Sequence, residues 1–509
     1  MVQAQDIARL IGGHFSGPAG DVCAIHHHAA SCQPKSLFVA IQGARSDGHQ
    51  FIPQALSQGA LGVISERPCP ADFNHIWIQV PDARLAIAQA AAAIHGYPSH
   101  SLNLVGITGT NGKTTTAYLL NAIFQSAFGL SAMMGTVEYR IGNHTETAHH
   151  TTPEASEIQY FLRRAVDAGC KYAVMEVSSH AIDLHRAAAL NFAVAVFSNL
   201  TQDHLDYHKT MEAYFDVKRR LFDGRLCPIP PVVVLNRDDP YGERLYQELP
   251  NQTRKVSYGI RSGDQDNRQM DIWIDRVQTN LSGLSLTVHW PHKILEIKSP
   301  MVGKPHAYNI LASVATATAC SIPAEHIVTG ISQTQVPGRF ERVDGGSQGF
   351  AVVVDYAHTP DAVQNALGAA RELVAQTGGR VITLFGCGGD RDRTKRPLMA
   401  EAAAQYSDII VATSDNPRSE SPEQILDDAE IGLLKVGKPY HRITDRRQAI
   451  TFAIQQAQPG DIVVLAGKGH EPYQILADRT IHFDDREEAR QVLRNLLDPP
   501  HQEAACVHS

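Results

Sequence analysis

The chain has 509 residues, of which 43% are hydrophobic and 19% are charged, a balance typical of globular proteins with large cores. Its 45 basic and 53 acidic residues give a net charge of -8 without any basic run, which argues against nucleic acid and indicates small-molecule partners. No apolar run is long enough to cross a bilayer, the N-terminus lacks the layout of a secretion signal, and the eight cysteines form no CxxC pair. We therefore expect a cytoplasmic protein with free thiols and no membrane insertion.

Apolar periodicity and helix breakers divide the chain into three parts, as its length also predicts. Breakers at 96–99 end a first part made of short strands and helices, and Pro337-Gly338 closes a second part. Within that second part, strands and helices alternate from residue 102 to 236, and further strands and an alanine-rich helix at 307–320 follow. Another α/β series begins at residue 350. We predict α/β domains at 1–98, 99–337 and 338–509, the last of them doubly wound and Rossmann-like.

The segment GITGTNGKTTT at 106–116 is a glycine-rich turn between a buried strand and a helix. Such a turn surrounds phosphates with backbone N–H groups, while Lys113 supplies a positive charge and Thr114 offers a hydroxyl to Mg²⁺. The spacing departs from the strict P-loop, because Gly106 lies six residues before Gly112 instead of five. A strand-to-helix turn without a ligand is the alternative. The predicted ATP contacts in this loop are Gly109, Thr110, Asn111, Gly112, Lys113, Thr114 and Thr115.

Three polar residues of the central part are candidates for ligand binding. Glu176 and His204 lie at or just after the carboxyl ends of two predicted strands, where open α/β sheets bind ligands. Taken alone, each is more often a satisfied polar side chain than a ligand. Lys218 lies in the helical stretch AYFDVKRRLF, where a lone lysine ordinarily faces solvent.

Ordered segments along nearly the whole chain resemble the Mur ligase family, whose phosphate loop reads TGTNGKT. They are TTPE at 151, MEVSSHA at 175, NLTQDHLDYH at 199, YFDVKRRLF at 214, NRDDP at 236, PGRFERV at 337, DYAHTPDA at 355, FGCGGDRDRTKRP at 385, SDNPR at 414 and AGKGHE at 466. The resemblance implies a three-domain Mur ligase architecture with an N-terminal UDP-binding domain, a central P-loop-type ATPase domain and a C-terminal amino-acid-binding domain. It also implies an ATP-dependent, Mg²⁺-dependent ligase of peptidoglycan synthesis, which we expect to be a monomer.

The resemblance assigns further roles around the nucleotide. It implies Mg²⁺ ligation by Thr114, Glu176, His204 and Lys218, the last as a carbamate, whose oxygens suit a hard cation. The implied catalytic residues are Lys113, His204 and Lys218. Further implied ATP contacts are Asn236, Asn309, Arg339, Asp355 and His358. His306 stands where the family has a second adenine-binding asparagine.

For the acceptor, the resemblance implies a UDP-MurNAc-L-Ala-D-Glu site. The matching residues are Ser36, Thr151, Thr152, Ser178 and Arg186. Two positions depart from the family pattern: Leu184 replaces a frequent glutamine, and His28-Ala29-Ala30 aligns with the uridine-site motif DSR. We expect the neighbouring histidine run at 26–28 to be a solvated loop, because three adjacent histidines cannot all face one site.

The arginine in SDNPR distinguishes the amino acid that is added. In the family, DNPR marks members that add meso-diaminopimelate, whose second carboxylate an arginine binds bidentately. The implied contacts are Arg391, Asp415, Asn416, Pro417, Arg418, Gly467 and Glu471. The expected reaction transfers the γ-phosphate of ATP to the D-Glu carboxylate, and the diaminopimelate amine then attacks the acyl phosphate. The alternatives are a lysine-adding or folate-type ligase and an inactive nucleotide-binding scaffold.

Overall fold

The computed structural model describes residues 1–43, 46–261, 269–290, 293–344 and 349–497. They form three successive α/β units, each built on its own sheet, and the predicted fold class is confirmed. Among these residues, none of the helices has the length and apolar content needed to cross a membrane.

The first unit carries a small sheet of order β2-β7-β6-β5-β4, in which β4 to β7 run parallel and β2 is antiparallel. Its strands are β1 (Val2–Gln3), β2 (His14–Ser16), β3 (Asp21–Val22), β4 (Ala24–His26), β5 (Ser36–Ala40), β6 (Gly62–Ser65) and β7 (Ile76–Gln79). Its helices are α1 (Ala4–Leu10), α2 (Ile52–Ser57) and α3 (Ala83–Ile94), with 3₁₀ turns at Ala29–Ser31, Gly48–Phe51 and Pro98–His100. His26 ends a strand, and His26 and His27 are half-buried, so the prediction of a solvated histidine loop is wrong there.

The second unit contains the long central sheet. Its strands are β8 (Asn103–Thr108), β9 (Ala132–Met134), β10 (Glu138–Ile141), β11 (His144–Thr147), β12 (Tyr172–Glu176), β13 (Val194–Phe197), β14 (Val232–Asn236), β15 (Arg254–Ile260), β16 (Ile272–Asn280), β17 (Gly283–Trp290) and β18 (Lys293–Ser299). Its helices are α4 (Lys113–Phe128), α5 (Ala155–Asp167), α6 (Ser179–Asp183), α7 (Leu205–His208), α8 (Met211–Arg219), α9 (Pro240–Glu248), α10 (Lys304–Ala319) and α11 (Ala324–Gln333).

Strand β8 lies inside this sheet, whose order is β11-β10-β9-β12-β8-β13-β14-β15-β16-β17-β18. The strands from β9 to β16 in this order run parallel, and the pairs at both edges are antiparallel. Leu104 packs into the apolar core on one face, whereas Val105 and Ile107 pack into the core on the other. A strand buried on both faces needs the continuous apolar run that the sequence shows here. The loop after β8 therefore starts from a fixed point in the sheet.

The third unit is a doubly wound sheet of order β19-β20-β24-β21-β22-β23, parallel except for β19. Its strands are β19 (Glu341–Arg342), β20 (Ala351–Asp355), β21 (Val381–Cys387), β22 (Ile409–Ser414), β23 (His441–Arg442) and β24 (Ile462–Ala466), followed by the hairpin β25 (Tyr473–Ile475) and β26 (Thr480–His482). Its helices are α12 (Pro360–Thr377), α13 (Lys395–Tyr406), α14 (Pro422–Val436), α15 (Arg446–Gln455) and α16 (Asp485–Leu497).

Candidate active site

A cavity of about 720 Å³ lies between the carboxyl edges of the second and third sheets. Parallel sheets bind ligands at this edge, because loops and helix N-termini gather there. The residues predicted from sequence that line it are Thr110, Asn111, Gly112, Lys113, Thr114, Thr115, Thr151, Glu176, Ser178, His204, Asn309, Arg339, Asp355, His358, Arg391, Asp415, Asn416, Arg418, Gly467 and Glu471. The predicted residues that do not line it are Ser36, Gly109, Thr152, Arg186, Lys218, Asn236 and Pro417.

The two residues that follow β13 fix the conformation of the phosphate loop. Asn199 Oδ1 accepts the Asn111 backbone N–H at 2.8 Å, and Ser198 Oγ donates to the Asn111 carbonyl at 2.6 Å. Gly112 has φ +86, and a Cβ there would collide with Asn309 Oδ1. Helix α4 begins at Lys113, so its free N–H groups face the cavity. The turn thus has the geometry of an anion-binding loop.

Two lysines converge on one backbone carbonyl beneath this loop. Lys113 Nζ donates to the Gly109 carbonyl at 3.0 Å, and Lys218 Nζ donates to the same carbonyl at 2.9 Å. Lys218 is only 1% exposed, so the ordinary expectation of a solvent-facing lysine is wrong at this position. It lies on the buried face of α8 with Tyr214, whose ring centroid is 4.8 Å from Nζ. Burial, reinforced by the charge of Lys113, holds the pKa of Lys218 well below its usual value.

Glu176 is a buried carboxylate with fixed orientation. The backbone N–H of Thr136 donates to Oε1 at 2.8 Å, and the Thr136 and Thr114 hydroxyls both donate to Oε2 at 3.0 Å. A Cβ at Gly135 would collide with Oε1, so a side chain there would displace the carboxylate. Sequence reasoning missed Thr136, although its place just after β9 at the carboxyl edge is a signal that points to it.

His204 immediately precedes α7 and has a left-handed backbone conformation, with φ +54. Its Nε2 lies 3.4 Å from Asp203 Oδ2, and its ring is 4.9 Å from that of His180. Burial lowers the pKa of His204, against the opposing effect of Asp203, so the imidazole is neutral near pH 7. Within the described ranges no group of three or more His, Cys, Asp or Glu side chains forms a metal cluster. The oxygen donors beside Glu176 come instead from threonines.

The third unit contacts the phosphate loop directly. Arg339 donates to the Thr114 hydroxyl at 3.4 Å, and Asn111 Nδ2 donates to Asp361 Oδ2 at 2.7 Å. Asp355 accepts the Phe340 N–H at 2.7 Å, and burial raises the pKa of Asp355 to about 6 against the charge of Arg339. Sequence reasoning missed Asp361, which lies in the DYAHTPDA segment at the start of α12. The two units are therefore joined at the phosphate loop.

At the other end of the cavity, Asn416 has a single possible amide orientation. Its Oδ1 accepts from Lys468 Nζ at 3.2 Å and from the Ile475 N–H at 3.0 Å, which turns Nδ2 toward Glu471 Oε2 at 2.8 Å. Lys468 is fully buried, and it is a further residue that sequence reasoning missed. Burial, together with the charge of Asp415, raises the pKa of Glu471.

Arg391 and Arg418 present guanidinium groups to the same end of the cavity. Arg418 donates to the Gly389 carbonyl at 2.8 Å and Arg391 to the Asp390 carbonyl at 3.1 Å, but neither makes an ion pair within the part of the chain that the structure describes. Burial, with a contribution from the charge of Arg418, lowers the pKa of Arg391. Two neighbouring cations of this kind form a site for carboxylates.

Several predicted residues have local partners instead of facing the cavity. Arg186 donates to the Thr152 carbonyl at 3.1 Å, and the Thr152 hydroxyl donates to the Glu176 carbonyl at 2.8 Å. The Ser36 hydroxyl is buried and donates to the Gln33 carbonyl at 2.7 Å. Asn236 Nδ2 donates to the Ser198 carbonyl at 2.8 Å, behind the phosphate loop. These residues support the cavity wall or lie apart from it.

Comparison with known proteins gives consistent matches along the chain. Three family models match: "Mur ligase family, catalytic domain" at 22–95, "Mur ligase middle domain" at 107–317 and "Mur ligase, glutamate ligase domain" at 338–469. A UDP-N-acetylmuramoyl-L-alanyl-D-glutamate--2,6-diaminopimelate ligase from Solibacter usitatus is 46% identical over 475 residues, covering 93% of this chain and 94% of that protein. A ligase of the same name from Thermosynechococcus vestitus is 43% identical over 503 residues, covering 97% and 98%.

Solved structures agree with these matches. A structure of a UDP-N-acetylmuramoyl-L-alanyl-D-glutamate--2,6-diaminopimelate ligase superposes with a TM-score of 0.65 at 32% identity, covering 94% of this chain and 95% of that one. MurF from Acinetobacter baumannii superposes with a TM-score of 0.65 at 21% identity, covering 91% and 94%, which shows a shared fold.

Proposed function

This chain belongs to the Mur ligase family, and on that premise we propose that it joins meso-2,6-diaminopimelate to the D-glutamate of UDP-MurNAc-L-Ala-D-Glu with consumption of ATP. It is a ligase that forms a carbon–nitrogen bond in the synthesis of peptidoglycan precursors. The observation that carries the choice of amino acid is the pair Arg391 and Arg418, whose guanidinium groups face the cavity without a carboxylate partner among the described residues. Diaminopimelate brings two carboxylates to such a site, whereas lysine brings one.

The first step is transfer of the γ-phosphoryl group to the D-Glu carboxylate. A carboxylate oxygen forms a bond to the γ-phosphorus, the bond to the β,γ-bridging oxygen breaks, and ADP leaves, so an acyl phosphate results. The N-terminus of α4 and Lys113 line the cavity and would neutralise the phosphate oxygens, and Arg339 approaches from the third unit. These groups stabilise the charge that the transferred phosphoryl group carries.

Mg²⁺ is the cation that this chemistry requires, and the residues present fit it. Thr114 and Glu176 offer hard oxygen donors 3.0 Å apart, and the neutral imidazole of His204 lines the same cavity. When bound, the cation would neutralise phosphate charge. The ligand set proposed is Thr114, Glu176, His204 and Lys218 as a carbamate.

The surroundings of Lys218 favour a carbamate over an ammonium group. It shares the Gly109 carbonyl with Lys113, so two amino groups of the same charge lie close together in a buried space. In carbamylation the Lys218 ammonium group first loses a proton, and the neutral amine then forms a bond to the carbon of CO₂ and releases a second proton, so that an anion replaces a cation next to Lys113. Addition of ¹³C-labelled CO₂ would give a carbamate ¹³C NMR signal in the wild type, and its persistence in Lys218→Ala would contradict the assignment.

The second step forms the amide. The diaminopimelate amine attacks the carbonyl carbon of the acyl phosphate, loses a proton, and the tetrahedral intermediate expels inorganic phosphate. Arg391 and Arg418 would hold the carboxylate of the distal centre, and Glu471 would hold its ammonium group. Asn416 keeps Glu471 oriented through its Nδ2 hydrogen bond.

Water would hydrolyse the acyl phosphate in an open cleft, so the second and third units must close over it. The contacts of Asn111 with Asp361 and of Thr114 with Arg339 join the two units at the phosphate loop and support this closure. We place the reaction in the cytoplasm, in line with the free thiols of the seven described cysteines. We also propose that the protein is a monomer, which light scattering tests.

The deciding experiment measures phosphate release with ATP, Mg²⁺ and UDP-MurNAc-L-Ala-D-Glu, with either meso-diaminopimelate or L-lysine, and weighs the product by mass spectrometry. We expect release only with diaminopimelate and a product one diaminopimelate residue heavier than the acceptor. Release with lysine would overturn the choice of amino acid and keep the ligase. Release with neither would refute the proposed activity and favour a nucleotide-binding scaffold.

A further inference from the structure

A fully buried ion pair lies behind the amino-acid end of the cavity and has no role in the steps above. Arg446 and Asp485 both have side chains with 0% exposure. Arg446 Nε donates to Asp485 Oδ1 at 2.8 Å, and its NH2 donates to Oδ2 at 2.6 Å, which is a bidentate pairing. Arg446 is the first residue of α15, and Asp485 is the first residue of α16.

The remaining donors of Arg446 reach two strand ends. NH1 donates to the Ser414 carbonyl at 3.3 Å, and NH2 donates to the Ala466 carbonyl at 3.1 Å. Ser414 is the last residue of β22 and Ala466 is the last residue of β24. These strands lie on either side of β21 and share no ladder, so the guanidinium is a direct link between their carboxyl ends.

The residues that follow these two carbonyls are those of the amino-acid site. Asp415, Asn416 and Arg418 lie in the loop that begins after Ser414. Gly467 and Glu471 lie in the loop that begins after Ala466. The Asn416–Glu471 hydrogen bond at 2.8 Å joins the two loops across the cavity. A shift of either strand end would therefore change the spacing between Arg418 and Glu471, and misplacement of binding groups by about 1 Å is costly.

We propose that Arg446 and Asp485 are a positioning pair that sets the spacing of the 415–418 and 467–471 loops and thereby the affinity for the amino acid that is added. Neither residue lines the cavity. The inference rests on the proposed function, since it assumes that these loops bind diaminopimelate. The two backbone contacts of the pair lie at the ends of β22 and β24, directly before the 415–418 and 467–471 loops, and neither contact reaches the phosphate loop, so its larger effect falls on this subsite.

A second arginine–aspartate pair of the same sheet supplies a matched control. Arg380 directly precedes β21 and Asp461 directly precedes β24, and Arg380 donates to Asp461 Oδ2 from NH2 at 2.7 Å and from Nε at 3.1 Å. This pair links the amino ends of the strands, on the side away from the cavity. Its loss should affect stability without moving the amino-acid loops.

The test compares Asp485→Asn with Asp461→Asn in the full chain by steady-state kinetics at a temperature at which thermal unfolding shows each variant folded. For Asp485→Asn we expect KM for diaminopimelate to rise about tenfold, equivalent to about 1.4 kcal/mol, with KM for ATP and for the acceptor within about twofold of wild type. Arg446→Lys, which keeps the charge without the planar fork, should give the same selective change. For Asp461→Asn we expect a lower Tm and an unchanged KM for diaminopimelate.

An unchanged KM for diaminopimelate, or an equal rise in all three KM values, would overturn the inference. An equal rise in the control would do so as well. Failure of both Asp485→Asn and Arg446→Lys to fold, with Asp461→Asn folded, would assign the pair to the fold itself and also overturn it. A wild-type enzyme without diaminopimelate-dependent phosphate release would instead refute the proposed function, so the two failures are distinguishable.

Discussion

Replacement of Arg418 by methionine removes one of the two guanidinium groups at the amino-acid end of the cavity that have no carboxylate partner among the described residues. Methionine keeps most of the side-chain length, so the change deletes charge and hydrogen bonds more than volume. Hydrogen bonds to charged groups contribute about 1.5–3 kcal/mol, which predicts a fall of about 10- to 150-fold in kcat/KM for diaminopimelate. Loss of the Arg418 bond to the Gly389 carbonyl adds to the cost through the 388–391 loop.

The assay is phosphate release at saturating ATP and acceptor, with diaminopimelate or lysine varied. Lysine lacks the second carboxylate, so its kcat/KM, where measurable, should not fall in Arg418→Met. Arg418→Lys should lie between wild type and Arg418→Met, because it keeps the charge and loses the planar fork. Arg393→Met is the control: Arg393 lies in the same unit, is 63% exposed and pairs with Asp428 outside the cavity lining. An equal loss with both amino acids, or with the control, would refute the reasoning.

The other predictions concern the nucleotide end and pH. Lys113→Ala should reduce turnover at least about tenfold, because it removes a charge from the phosphate site; a smaller loss would contradict the assignment of the loop. His306 is 7% exposed and lines the cavity one turn before Asn309, and its Nδ1 has no hydrogen-bond partner within the described ranges. We therefore expect calorimetry to show weaker ATP binding in His306→Ala and near-normal binding in His306→Asn. The pKa of Asp355 is raised to about 6 from 3.8 in the unfolded chain, which means that the folded state binds this proton more tightly. Ligand-free wild type should therefore lose stability relative to Asp355→Asn as the pH rises from about 4 to 6. Urea midpoints of the two proteins that run parallel across that range would contradict this.

Local features of the chain were accessible from its sequence. The phosphate loop is contiguous with β8 and α4, and the apolar run of that strand and the helix start at Lys113 lie within a few residues of each other. Arg418 follows β22 in the same way, so its place at the carboxyl edge was predictable from chain order. Motif spacing therefore indicated both ends of the cavity.

Contacts between distant segments were decided by the tertiary structure. Lys218 meets the Gly109 carbonyl from 109 residues away, and Arg446 meets Asp485 across 39 residues. Local periodicity of the sequence does not predict either contact, because the order of the strands brings the segments together and the burial of the side chains then determines which groups pair. Conversely, Ser36 and Asn236 fit the family pattern, but hydrogen bonds to the neighbouring Gln33 carbonyl and to the distant Ser198 carbonyl occupy their side chains. The sequence by itself determined where the loops begin, and the packing of the sheets determined which side chains meet, because a buried polar group must find its partner within the fold.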